Sequence, residues 1–88
     1  MGTWDKFRIR LLAGSSDRNI RFDELVGYLK HVGFECRISG SHHVLSRREV
    51  AEILVLQPAG KGSAKPYQVK QVRKVVQQYR LGAESDEV

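Results

Sequence analysis

The chain has 88 residues, enough for one modest hydrophobic core and too few for an enzyme that carries its own cofactor-binding domain. Fifteen Lys and Arg against ten Asp and Glu give a net charge of +5, and three of the acids, Glu84, Asp86 and Glu87, lie near the C-terminus, so the preceding chain is more basic still. Such a surface draws polyanions; insertion into a membrane is not expected, because no apolar run approaches the roughly 20 residues a helical span needs.

Along the chain, Trp4, Phe7, Leu11 and Leu12 recur at helical spacing, and Gly14-Ser15-Ser16-Asp17 ends that pattern. The charges of Asp5, Lys6, Arg8 and Arg10 interrupt any signal-peptide core. Residues 1–20 are therefore expected to form an added helical extension in front of a domain spanning 21–82. A second stripe, Phe22, Leu25, Val26 and Leu29, predicts a helix with Asp23 and Glu24 in its first turn, where carboxylates complement the helix dipole, and with Gly33 after its end.

The period then drops to two. Phe34, Cys36 and Ile38 alternate with Glu35, Arg37 and Ser39, the pattern of a half-buried strand. Cys36 is the only cysteine, which rules out an internal disulfide and a cysteine-rich zinc site. Its place in this strand marks a packing thiol rather than a nucleophile, and a reducing cytoplasm is the expected location. Gly40-Ser41 supplies a turn, His42 to Leu45 a second strand, Ser46 to Glu49 a polar connection, and Glu52 to Gln57 a third strand ended by Pro58.

Ala59 to Lys65 reads as a mobile basic loop. Pro66 suits the first position of a last helix, which buries Val69, Val72, Val76 and Tyr79 and stops before Gly82. Residues 83–88 are expected to be a disordered acidic tail. The element order implies an α+β two-layer sandwich: a three-stranded antiparallel sheet with the helices on one face, the α-β-β-β-α order of double-stranded-RNA-binding domains, plus the N-terminal helix.

Candidate chemistry centres on His42 and His43. Imidazole accepts and donates protons near neutral pH, and in RNA a base that deprotonates the 2′-hydroxyl starts phosphodiester cleavage without a metal or other cofactor. Strand alternation sends the two side chains to opposite faces, so only one can reach the helix-free face. Ser41 can hold a phosphate, and Arg37, Arg47, Arg48, Lys61 and Lys65 can supply positive charge. On the last helix, Lys70, Arg73 and Lys74 lie away from the valine stripe and would extend a phosphate-contacting strip. The plainer reading of each group is a solvated face or a satisfied surface histidine pair. Adjacent histidines face apart and no third ligand lies at a favourable spacing, which argues against a metal site.

Leu25 to Leu29, then Gly33-Phe34, then Gly40-Ser41-His42-His43-Val44-Leu45, then Pro58 after an apolar strand and before a final amphipathic helix, form a pattern that resembles the HicA family of toxins. The resemblance spans roughly Phe22 to Leu81, and its most specific part is Gly-Phe followed closely by Gly-Ser-His-His. It implies a fold like that of double-stranded-RNA-binding domains, cleavage of messenger RNA that arrests translation, a required histidine of this motif, and a HicB antitoxin that covers the active site. It points to Gly40, Ser41, His42 and His43, with His42 the first choice for the acid–base group and His43 close behind. The sequence departs from the family form in residues 1–20 and in a longer, more basic stretch from Ala64 to Lys70. Two other readings share the composition: a non-catalytic module that binds double-stranded RNA, and a domain that binds an acidic protein.

Overall fold

The structure is a computed structural model that describes residues 2–82, so the expected acidic tail at residues 83–88 lies outside the described residues. Helix α1 runs Thr3–Ala13. The Asp5 carboxylate accepts the N–H of Gly2 at 3.2 Å at its start, and Gly14 ends it with φ +75°, a left-handed turn that costs glycine least. Helix α2 runs Phe22–His31 and helix α3 runs Pro66–Tyr79, with Pro66 in the first turn, where its missing N–H is not needed.

Between α2 and α3 lie β1 (Glu35–Ser39), β2 (His42–Arg47) and β3 (Val50–Leu56), antiparallel in the order β1-β2-β3. This is the expected α+β architecture. Strand β2 runs two residues further than expected, because Ser46 pairs with Glu35 on one side and Arg47 with Val50 on the other. Only Arg48 and Glu49 are left for the turn. One face of the sheet, carrying Cys36, Leu45, Leu54 and Leu56, packs on the helices, while Arg37, Val44, Ile53 and Val55 alternate onto the open face.

Two features were not foreseen from local pattern. Helix α1 is integrated with the rest: Phe7 and Leu11 belong to the same buried cluster as Leu25, Leu29, Val72 and Val76. Burying such side chains stabilises by roughly 1.5–3 kcal/mol each, so residues 1–20 supply core as well as an extension. An ion pair adds to this, since Arg73 on α3 donates to both carboxylate oxygens of Asp17 at 2.8 and 3.0 Å and to the Leu11 carbonyl at 3.3 Å.

The loop before α3 is also tied down, although its composition reads as mobile. Its backbone bridges Arg21 to Ser63 and Pro58 to Ala64, Ala64 donates to the Ile20 carbonyl at 2.8 Å, and its methyl is buried. The outer edge of β3 is capped by α3, with Tyr79 Oη accepting the Ala51 N–H at 3.3 Å and Gln68 Oε1 the Gln57 N–H at 3.1 Å. No helix among the described residues is long and apolar enough to cross a membrane.

Candidate functional site

The site is built outward from the β1–β2 turn. Ser39 pairs with His42, leaving Gly40-Ser41 as a two-residue hairpin loop, and Gly40 adopts φ +61° at its first position, as a loop this short requires and glycine supplies without strain. The turn fixes which way the next two side chains point. His43 lies on the helix side beside Leu45 and meets Phe22, the first residue of α2, edge to face with centroids 4.8 Å apart. His42 is exposed on the open face, one register step diagonally from Arg37. Alternation therefore separates the histidines as the sequence required.

The His43 ring is only half-buried, yet its Nδ1 is fully buried and has no hydrogen-bond partner. A buried nitrogen left unpaired costs about 1–3 kcal/mol. Beside the turn, Gln57 Nε2 donates to Ser41 Oγ at 2.9 Å while its Oε1 accepts from Lys65 Nζ at 3.4 Å. Gln68, the one buried polar side chain among the described residues, holds the Gln57 backbone N–H through its Oε1. Ser41, Gln57 and Lys65 thus form a hydrogen-bonded row that joins the turn to the start of α3.

Sequence reasoning missed Gln57, Gln68 and Phe22 as contributors. A polar residue closing an apolar strand before Pro58, and a glutamine one position ahead of the valine stripe of α3, were the available signals. Neither says which partner the amide meets.

The expected cations divide into three groups. Lys65 joins the row just described. Lys61 lies exposed in the pinned loop with φ +65°, a conformation costing a non-glycine residue roughly 1–2 kcal/mol, and this loop reaches the site through Ser63, Arg21 and Phe22. Arg37 lies mid-strand on the open face. Lys70 and Lys74 are exposed on α3, Lys70 close enough to Asp17 to favour its charged form and Lys74 in a groove with Glu52 and Gln71.

Three arginines depart from the expected strip. Arg73 is committed to Asp17 and Leu11, with a side chain only 17% exposed, so its guanidinium is a structural clasp. Its hydrogen bonds hold the Asp17 carboxyl below the usual carboxylate range, against an opposing effect of burial, and Asp17 in turn raises Arg73. Arg47 donates to the Val32 carbonyl at 2.6 Å and to Glu49 at 2.7 Å, closing the end of α2 onto the sheet and lowering the Glu49 carboxyl. Arg48 sits in the β2–β3 turn, the far end of β2 from Ser41, about 22–24 Å away at strand rise. The turn end of the sheet therefore gathers Ser41, His42, His43 and Lys65, with Arg37 two residues further along β1; Lys61 stands in the pinned loop, and Arg47, Arg48 and Arg73 lie elsewhere.

Among the described residues no three His, Cys, Asp or Glu side chains stand close enough together to hold a metal ion. No protein-family model, curated protein or solved structure matches the chain.

Proposed function

We propose that this chain is a HicA-like cytoplasmic toxin, an endoribonuclease that cuts messenger RNA without a metal and so arrests translation, with a HicB-like antitoxin as its inhibitor. The observation that carries the reading is the tight Gly40-Ser41 turn, which presents His42 to solvent on the open face beside a serine held by Gln57 and a lysine anchored to the same amide. The Gly-Ser-His-His pattern motivates the choice of chemistry.

In this mechanism His42 removes the proton of a 2′-hydroxyl, the 2′-oxygen bonds to phosphorus, and the bond to the 5′-oxygen breaks. The imidazolium, directly or through water, returns the proton to the leaving 5′-oxygen, giving a 2′,3′-cyclic phosphate and a 5′-hydroxyl. Lys65 and Arg37 offset the charge that builds on the phosphate oxygens. His43 points to the opposite face, so it is a positioning residue that seats β2 against Phe22.

The test is incubation of RNA with the purified chain in EDTA. Cleavage with cyclic-phosphate ends is expected, falling about 100-fold or more in His42→Ala with the thermal midpoint unchanged. Full cleavage by that variant would overturn the assignment. A second reading, a non-catalytic module for double-stranded RNA, is favoured by the exposed Lys61, Lys70 and Lys74. It expects RNA to bind with steep salt dependence and remain intact.

A further inference from the structure

The two edges of the sheet are treated differently. Side chains of α3 cap the outer backbone of β3, the kind of cover that keeps an edge strand from pairing with another chain. Strand β1 has no such cover among the described residues. Closure of the two-residue hairpin turns the N–H and C=O groups of Ser39, and by alternation those of Arg37 and Glu35, toward β2. Those of Cys36 and Ile38 consequently face outward. The N–H of Phe34, in the same alternation, points away from β2 as well and donates to the Leu29 carbonyl at 2.9 Å. Beside this bare edge Ile38 is 63% exposed although it lies on the apolar face.

We propose that the β1 edge is a self-association surface, on which a second copy of this chain pairs antiparallel about a twofold axis at Cys36, joining two three-stranded sheets into one. Charge and burial select this register. Centred on Cys36, Glu35 of each copy lies directly opposite Arg37 of the other on the open face, and Ile38 of each lies opposite Phe34 of the other on the helix face. Centred instead on Arg37, the pairing would set two guanidinium groups against each other, which is destabilising for directly opposed positions. Centred on Ile38, it would leave Glu35 without a partner on the opposing strand. Outward backbone groups supply the ladder: each Cys36 exchanges both of its hydrogen bonds with the other, and each Ile38 N–H meets a Phe34 carbonyl. The net charge of +5 on each copy opposes association, so the dimer forms at high protein concentration.

Pairing at the β1 edge does not require ribonuclease activity, although Arg37 figures in both, so association is followed by sedimentation and crosslinking without RNA. In the proposed register the two Cys36 Cα atoms come to about 5.5 Å, inside the Cα range of a disulfide, and the Cβ atoms, at about 5 Å, need to close by only about 1 Å to bond, which gives a direct probe. Diamide, which takes up the two thiol hydrogens, is added to the full chain at concentrations where sedimentation detects dimer. The expected result is a covalent dimer through Cys36, absent in Cys36→Ser. Glu35→Arg or Arg37→Glu alone places like charges opposite one another and is expected to raise the dissociation constant about tenfold or more; the double exchange E35R/R37E restores both association and crosslinking. Circular dichroism checks that each variant is folded, and crosslinking of the unaltered chain decides the matter if a single reversal is not. A chain that stays monomeric up to millimolar concentration, or a dimer that neither crosslinks at Cys36 nor responds to charge reversal, would overturn the proposal.

Discussion

Replacing Asp17 by asparagine isolates the contact that fastens α3 to the segment after α1. The Arg73 guanidinium makes two hydrogen bonds to the carboxylate and one to the Leu11 carbonyl, with side chains only 17% and 12% exposed. This places the pair between an exposed ion pair, worth about 0–1 kcal/mol, and a fully buried one, whose disruption costs about 3–5 kcal/mol. A hydrogen bond to a charged group contributes about 1.5–3 kcal/mol; because asparagine retains one acceptor, the expected loss is about 2 kcal/mol. For a domain of this size that lowers the thermal midpoint by roughly 8–16 °C.

The pH dependence carries a sign. Arg73 holds the folded carboxyl below its unfolded value of about 3.9, so the stabilisation is present above that value and is lost as pH falls through the lower folded value. Thermal unfolding followed by circular dichroism at pH 7, 5 and 3 should therefore show a wide gap between parent and Asp17→Asn at the two higher values and a narrowing one at pH 3. A gap below about 0.5 kcal/mol at pH 7, or one independent of pH down to acid unfolding, would refute the assignment of Arg73 as a clasp.

Gln68→Leu keeps the volume of a buried side chain but strands the Gln57 N–H and the Val55 carbonyl; a loss of about 1–3 kcal/mol is expected in urea unfolding. Lys61→Gly relieves a left-handed backbone at φ +65° and should stabilise by about 1 kcal/mol, while weakening RNA retention on a filter if the ammonium contacts phosphate. Gly27→Ala would set a methyl 2.8 Å from the Trp4 ring; the ring must shift, so thermal melting is expected to show destabilisation despite the better helix propensity of alanine. Arg37→Ala should reduce RNA affinity and its salt dependence, whereas Arg48→Ala, at the far turn, should do so less.

What could be read from sequence was what local periodicity encodes. The stripes of α1, α2 and α3, the alternation of β1 and the Gly40-Ser41 turn each reflect a choice made within a few residues. The opposed faces of His42 and His43 followed from strand geometry alone. Interactions that depend on distant residues were not visible. Arg73 looked solvent-facing because its partner Asp17 lies 56 positions away in the chain, and the Gly-rich loop looked mobile because the bonds that pin it come from Ile20 and Arg21. Likewise, the apolar stripe of α1 predicts a helix, yet only the assembled core shows that Phe7 and Leu11 pack with both later helices.

His43 joins stability to function in a way that can be measured. Its ring packs on Phe22 and takes part in the apolar face of the sheet, but its buried Nδ1 has no partner, so the position carries a polar atom that packing alone does not call for. Phenylalanine would keep the aromatic edge-to-face contact and remove the unpaired nitrogen. His43→Phe is therefore expected to stabilise the fold by about 1 kcal/mol, read from the urea midpoint at constant slope. The functional outcome separates two roles. If the more stable variant cleaves RNA as the parent does, His43 serves β2 by filling space and His42 carries the proton transfer alone. If cleavage is lost while stability rises, the unpaired nitrogen belongs to the chemistry, because a group that lowers stability yet is needed for turnover is doing something other than packing. A variant that is less stable than the parent would refute the premise, since it would mean that Nδ1 has a partner in solution.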